Sequence, residues 1–139
     1  MSAPLPAGVL DTCVVIALGG LDPDELPDEQ AITTVTLGEL SVGPLTTNDP
    51  SERARRQACL QAAEHDFAES MLVYDQAAAR TFGTVMAGAL ARGRSSRARV
   101  ADHQIAAIAI ANRLALYTIN VEDFAGIEGL DLRTVSPPR

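Results

Sequence analysis

Four carboxylates carry the chemical interest of this chain: Asp11, Glu39, Asp102 and Asp123. Asp11 ends a short apolar segment, Val9-Leu10, and is followed by Thr-Cys-Val-Val-Ile. Asp102 opens a stretch of almost unbroken apolar and alanine residues, and Asp123 follows an apolar segment ending at Ile119, with Thr118 and Asn120 beside it. Taken singly, each has an ordinary explanation. Asp11 and Asp102 suit helix starts, where an acid caps backbone N–H groups or complements the dipole; Glu39 suits a helix surface and Asp123 a turn. Taken together, they are acids at the edge of a core with no evident basic partner beside them. Such groups repel one another unless a cation neutralises them. Carboxylate oxygens without sulfur and with little imidazole select a hard ion, Mg²⁺ or Mn²⁺. That combination suits phosphate-ester chemistry.

The elements that must position these acids follow from short-range pattern. Residues 9–10 read as the end of a strand and 12–18 as the helix after it, with Gly19-Gly20 breaking the pattern and an acidic, proline-containing connection over 21–29. Residues 31–34 read as a second strand and 35–45 as a helix weakened by Gly38 and Gly43. Asp49-Pro50-Ser51-Glu52 is a helix start with cap, N1 proline and capping-box acid, predicting a helix to about residue 64. A strand over 71–74 leads to Asp75, which caps an alanine-rich helix to about residue 92. A loop over 93–96 precedes a helix over 100–112, with Ile105, Ile108 and Ala109 on one stripe. A strand over 114–119, a single turn over 121–124 and a last strand over 130–135 complete the chain. This alternation implies parallel strands joined by helical crossovers. In such α/β sheets ligands bind beyond the carboxyl ends of the strands, and all four acids map there.

Composition removes several alternatives. With 139 residues the chain makes one domain, and 47% hydrophobic with 21% charged residues describes a folded chain rather than a disordered one. All 11 basic residues are arginine, which excludes the lysine-dependent P-loop, Schiff-base and S-x-x-K chemistries. No Gly-x-Gly-x-x-Gly follows a strand, so a dinucleotide cradle is not indicated. Cys13 and Cys59 form no C-x-x-C pair and read as reduced thiols. The opening residues have no basic segment of a signal peptide, and the run over 9–18 is too short to span a bilayer, so a cytoplasmic protein without membrane attachment is expected.

Four segments, in order, resemble the PIN-domain ribonucleases, and specifically the VapC toxins of bacterial toxin–antitoxin pairs. They are Val9-Leu10-Asp11-Thr12, Ile32-Thr33-Thr34-Val35-Thr36-Leu37-Gly38-Glu39-Leu40, Asp102-His103-Gln104-Ile105-Ala106-Ala107-Ile108-Ala109 and Leu116-Tyr117-Thr118-Ile119-Asn120-Val121-Glu122-Asp123-Phe124. The resemblance implies an α/β fold: a single PIN-like domain over 1–139, with a short extension over 1–7 and a central parallel sheet flanked by helices on both faces. It implies that Asp11 and Asp102 are the principal Mg²⁺ ligands, with Mn²⁺ as a substitute. Glu39 then completes the site and orients water, Asp123 is the fourth acid, and Thr12 and Asn120 support the ligands. The implied activity is metal-dependent hydrolysis of RNA by a homodimer. A cognate antitoxin inhibits it within a larger hetero-oligomer.

The chain departs from the family pattern at Gly38, where relatives often carry alanine, and at Ile119, where many carry a polar or basic residue. The net charge of −7 weighs against RNA binding, yet without the four site acids the balance is only 14 acidic to 11 basic residues. Arg92, Arg94, Arg97 and Arg99 crowd the loop before Asp102 and are expected to contact RNA backbone, since the guanidinium fork binds phosphate bidentately. Arg53, Arg55 and Arg56 read as a solvated helix face. His65 and His103 are left outside the site, because a lone histidine is more often structural. Three other readings compete: a catalytically silent PIN-fold module holding an antitoxin and operator DNA, a PIN nuclease of RNA maturation, and an aspartate-nucleophile phosphatase. The last normally has a second aspartate where this chain has Cys13, and a lysine that is missing here.

Overall fold

The computed structural model describes residues 7–93 and 99–139. Its strands are Ala7–Leu10 (β1), Glu29–Thr33 (β2), Met71–Leu72 (β3), Ala115–Thr118 (β4) and Leu132–Thr134 (β5). Its helices are Thr12–Ala17 (α1), Thr34–Val42 (α2), Pro50–Asp66 (α3), Gln76–Ala91 (α4) and Val100–Ala111 (α5). The strands form one sheet in the order β3-β2-β1-β4-β5, and every pairing is parallel. No helix among the described residues is long and apolar enough to cross a membrane.

The central strands are apolar on both sides because the sheet is covered on both faces. Successive side chains of a strand point to opposite faces, and the core divides accordingly. Leu10 and Ile32 pack with Val14, Val15, Leu40, Ala63 and Phe67 on one side. Val9 and Leu116 pack with Val85, Ile105, Ala106, Ala109 and Phe124 on the other. Each such aliphatic side chain taken fully out of water contributes about 1.5–3 kcal/mol. From β1 the chain steps outward through β2 to β3, then returns to the far side of β1 for β4 and β5. The direction of stepping therefore reverses between β1 and β4, and a crevice opens beyond their carboxyl ends.

The expected elements are present with altered ends. β2 stops at Thr33 because its hydroxyl accepts the N–H of Thr36 at 3.1 Å and starts α2 one residue earlier than predicted. Gly38 does not interrupt α2, which continues to Val42 before a 3₁₀ turn over Gly43–Thr46. Asp49 caps α3 as expected, accepting from Ser51 N–H at 3.0 Å. Glu52 does not complete a capping box, however, because it pairs with Arg55 and Arg56 instead. The strand predicted over 71–74 shortens to two residues. Asp75 accepts from Ala78 N–H at 2.9 Å at the head of α4. Two of the arginines expected on a solvated face tie down backbone instead: Arg53 donates to Thr47 O, and Arg56 to Gly43 O and Thr46 Oγ1. Ala7, placed in the N-terminal extension by the sequence, is the first residue of β1.

Two glycines have opposite roles. A Cβ on Gly8 would lie 2.4 Å from Cε1 and 2.8 Å from Cδ1 of Tyr117, so β1 can approach β4 closely only with glycine there. A Cβ on exposed Gly38 would meet nothing within 4 Å. Gly8→Ala is expected to destabilise the fold by about 1–3 kcal/mol. Gly38→Ala is expected to stabilise it by about 0.5–1 kcal/mol, because the unfolded chain loses freedom it would otherwise recover. Urea unfolding of the two variants measures both signs.

Candidate active site at the carboxyl ends of β1 and β4

The site begins where β1 becomes α1. Asp11 N–H continues the ladder to Tyr117 O at 2.9 Å, so the residue leaves the sheet in register with β4 and enters the crevice. Asp11 is 4% exposed. Burying a carboxylate is expensive unless donors replace water, and three do so. Thr12 N–H reaches Oδ1 at 2.9 Å, while the Thr118 hydroxyl at 2.9 Å and the Cys13 thiol at 3.2 Å reach Oδ2. Burial, followed by the nearby Asp11 charge, pushes the Cys13 thiol up from its ordinary pKa, which keeps it a proton donor. Cys13 and Cys59 are both free thiols.

Glu39 is exposed on α2, and a chain of hydroxyls reaches it. Thr12 Oγ1 donates to Glu39 Oε1 at 2.7 Å and lies 2.9 Å from Thr36 Oγ1. A hydroxyl has one proton. Thr12 spends its proton on Glu39, so Thr36 donates to Thr12, and Thr33 donates to Thr36 at 3.5 Å. Thr33, Thr36 and Glu39 share a face of α2 through their spacing of three, a signal visible in the sequence but not assigned there. Thr12 thus supports Glu39 through its side chain and Asp11 through its N–H. Asn120 acts through its backbone, donating to Thr118 Oγ1 at 3.0 Å and accepting from Asp123 N–H at 3.1 Å.

Asp102, in the first turn of α5, stands at the electrostatic centre. Its carboxyl is pushed up from 3.8 to about 7, first by burial and then by the charges of Asp11, Asp123 and Glu39, with Arg99 opposing. Four acids from four separate segments therefore interact in one place. The sequence leaves these acids without a basic neighbour, and the structure corrects that expectation. The Arg99 guanidinium pairs with Asp123 Oδ1 and lies 3.9 Å from Asp102 Oδ2. Arg92, Arg99, His103, Glu122 and Asp123 line a cleft beside the acids. His103 is 4% exposed, and its Nδ1 has no hydrogen-bond partner. Arg94 and Arg97 lie outside the described residues.

The donor set fits a hard divalent ion: oxygen ligands, like charge in excess and one carboxyl partly protonated near neutrality. Among the described residues no three of these acids form a ready-made metal cage. Asp11 Oδ1 and Oδ2, Glu39 Oε1 and Asp123 Oδ1 already have hydrogen-bonding or ionic partners.

The raised pKa of Asp102 fixes the sign of a pH effect. Between about pH 4 and 7 the folded chain holds a proton that the unfolded chain has released, so the contribution of Asp102 to stability falls as pH rises through that window and then levels off. In chelator-treated protein, Asp102→Asn is expected to raise the melting temperature at pH 8 and to show a smaller difference from wild type at pH 5. Thermal unfolding at the two pH values measures this.

No family model matches the chain. It is 38% identical over 132 residues to ribonuclease VapC5 of Mycobacterium tuberculosis, spanning 93% of each protein. It is 30% identical over 128 residues to ribonuclease VapC4 of the same organism, spanning 90% of this chain and 94% of that one. Among solved structures, the VapBC-5 toxin–antitoxin structure from M. tuberculosis superposes with a TM-score of 0.78 at 37% identity, covering 94% of this chain and 98% of that one. VapBC2 from Rickettsia felis, solved on a promoter DNA fragment, matches at TM-score 0.71 and 20% identity, covering 94% of this chain and 99% of that one, and shares the fold. With a parallel sheet flanked by helices and this length of shared sequence, the chain belongs to the VapC family of PIN-domain ribonuclease toxins.

Proposed function

We propose that this chain is a Mg²⁺-dependent endoribonuclease, the cytoplasmic toxin of a bacterial toxin–antitoxin pair, working as a homodimer and held inactive by its antitoxin in a larger hetero-oligomer. The observation that carries the reading is the convergence of Asp11, Asp123 and Glu39 on a half-buried Asp102, whose carboxyl is pushed to about 7 first by burial and then by those three charges. A silent scaffold has no use for that repulsion. A divalent ion bound there would neutralise charge on the phosphoryl oxygen and make water a better nucleophile.

The chain's own groups supply the remaining roles. Asp11 and Asp102 would hold the ion, Asp11 being set rigidly by Thr12 N–H, Thr118 and Cys13. Glu39, aimed by the Thr33–Thr36–Thr12 hydroxyl chain, would orient the attacking water and accept its proton. Asp123 would complete the acidic set from the turn after β4. Arg92 and Arg99, lining the cleft beside these acids, would contact the RNA backbone. Because α5 puts Asp102 and His103 on different faces, His103 stays out of the ligand set.

The antitoxin has a fitting surface. Ile16, 63% exposed on α1, lies in a groove with Thr12, Glu39, Leu40, Arg55, Arg56 and Cys59 between α1, α2 and α3. The groove combines apolar Ile16, Leu40 and Cys59 with Arg55 and Arg56 and includes the acid that would orient water. A peptide seated in it would block the site directly.

Incubated with total bacterial RNA, wild-type protein freed of antitoxin is expected to yield discrete fragments with Mg²⁺ or Mn²⁺ and none with chelator. Asp11→Asn and Asp102→Asn are each expected to lower the rate by about a hundredfold or more, the equivalent of several kcal/mol of lost charge stabilisation. Wild-type cleavage by either variant would overturn the site assignment. Ile16→Glu is expected to keep full cleavage and to lose co-purification with the antitoxin, a pairing of results that separates groove from catalytic centre.

A further inference from the structure

Arg99 is the one described basic side chain that touches the acidic cluster, and it touches two of its members. It pairs with Asp123 Oδ1 and lies 3.9 Å from Asp102 Oδ2, and its side chain is 39% exposed. Like charges that must sit together favour any cation within reach, and a guanidinium is a cation already attached to the chain. A divalent ion held by Asp102 and its neighbours would compete with Arg99 for the same oxygens.

A cleft opens beside Arg99. Arg99 and Asp123 lie on the wall of a cleft that also contains Arg92 and His103. Arg92 packs close to the loop after Asp123, where Gly126 adopts φ +79 and a Cβ would come within 3.2 Å of Arg92 Nε. Arg92 has no side-chain hydrogen bond or ion pair to protein among the described residues. His103 adds a buried imidazole whose Nδ1 has no partner. Two guanidiniums on one wall, Arg92 without a carboxylate partner and Arg99 shared between Asp123 and Asp102, suit a phosphate diester.

We propose that Arg99 is an exchangeable counter-ion: it neutralises Asp102 and Asp123 until a divalent cation takes those carboxylates, and it then grips a backbone phosphate of the RNA strand lying along the Arg92–His103 cleft. The inference rests on the metal-dependent ribonuclease reading above and adds a coupling to it. Loading of the cation and capture of the substrate become linked through one side chain, because the same event that fills the acidic cluster releases the guanidinium. Arg99 in this sense acts by changing partners.

The consequence is a pair of effects of opposite sign, which a purely structural role would not produce. In Arg99→Gln the cluster loses its internal cation, so calorimetric titration with Mn²⁺ is expected to show about tenfold tighter binding than wild type. With Mn²⁺ saturating, the same variant is expected to bind a fluorescein-labelled, nuclease-resistant phosphorothioate oligoribonucleotide about threefold or more weakly, with a shallower salt dependence. Arg99→Lys keeps the charge and is expected to leave Mn²⁺ affinity within about twofold of wild type while binding the oligonucleotide less well than arginine, since an ammonium cannot bind bidentately. Circular dichroism confirms that each variant is folded before titration. Were the Arg99→Gln variant to misfold, Arg99→Lys would still decide the phosphate half. Unchanged or weaker Mn²⁺ binding in folded Arg99→Gln, or unchanged oligonucleotide binding in either variant, overturns the exchange and leaves the nuclease reading standing. A wild-type chain that takes up no Mn²⁺ overturns both, because no cation then competes with Arg99.

Discussion

A carboxylate buried to 4% exposure at the end of a central strand is the constraint on which the rest of the site depends. The effective penalty for moving such a group out of water is several kcal/mol, and Asp11 recovers it only where Thr12 N–H, the Thr118 hydroxyl and the Cys13 thiol converge on it. Two of those donors come from its own helix start. The third comes from β4, 107 residues away, and is in place only if β1 and β4 are in register. That register is held by Leu10 opposite Tyr117, by the apolar packing of Val9 and Leu116, and by the missing side chain at Gly8 under the Tyr117 ring. Core packing and site geometry are therefore one problem in this fold.

The second carboxylate is arranged by a different device. Glu39 is exposed, so burial cannot fix it, and a flexible side chain in water has little reason to hold one rotamer. The Thr33–Thr36–Thr12 chain supplies that reason, since each hydroxyl proton has a single direction to point and the last points at Glu39 Oε1. The chain starts at the residue that caps α2, so the interaction that begins the helix also orders the acid it carries. Replacing a capping threonine costs typically about 1 kcal/mol of stability. Here the loss would also release the Glu39 side chain from its hydroxyl partner.

How much of this the sequence revealed depends on how local each interaction is. The strand–carboxylate–helix order around Asp11, the cap at Asp75 and the short turn at 121–124 were legible, because each is decided within a few residues. The placement of four acids at one sheet edge followed from chain topology, which the α/β alternation implies. Interactions across the fold were not legible. Arg99 stands three residues before Asp102, a spacing that was visible, but its pairing with Asp123 depends on β4 delivering the following turn to the head of α5. The hydroxyl chain joins residues 24 apart across two helices. Glu52 matched the capping-box pattern and yet turned to Arg55 and Arg56, since a charged partner one turn on outcompetes a backbone N–H that Thr47 already accepts from at 3.2 Å.

An acidic chain acting on a polyanion presents an apparent conflict, and the distribution of charge resolves it. At physiological ionic strength charges are screened beyond about 8–10 Å, so a net charge of −7 describes solubility and distant approach more than the field at a bound phosphate. Within that range the acids of the site are a liability to RNA only while they lack a cation. Arg99 answers part of that charge from inside the protein, and a divalent ion would answer the rest. Arg92 and Arg99 stand on the cleft wall next to the acids, so positive charge would meet an RNA backbone laid along that cleft. The same arithmetic explains the use of arginine here: it keeps its charge against carboxylates and phosphates alike, and its planar fork fits either partner.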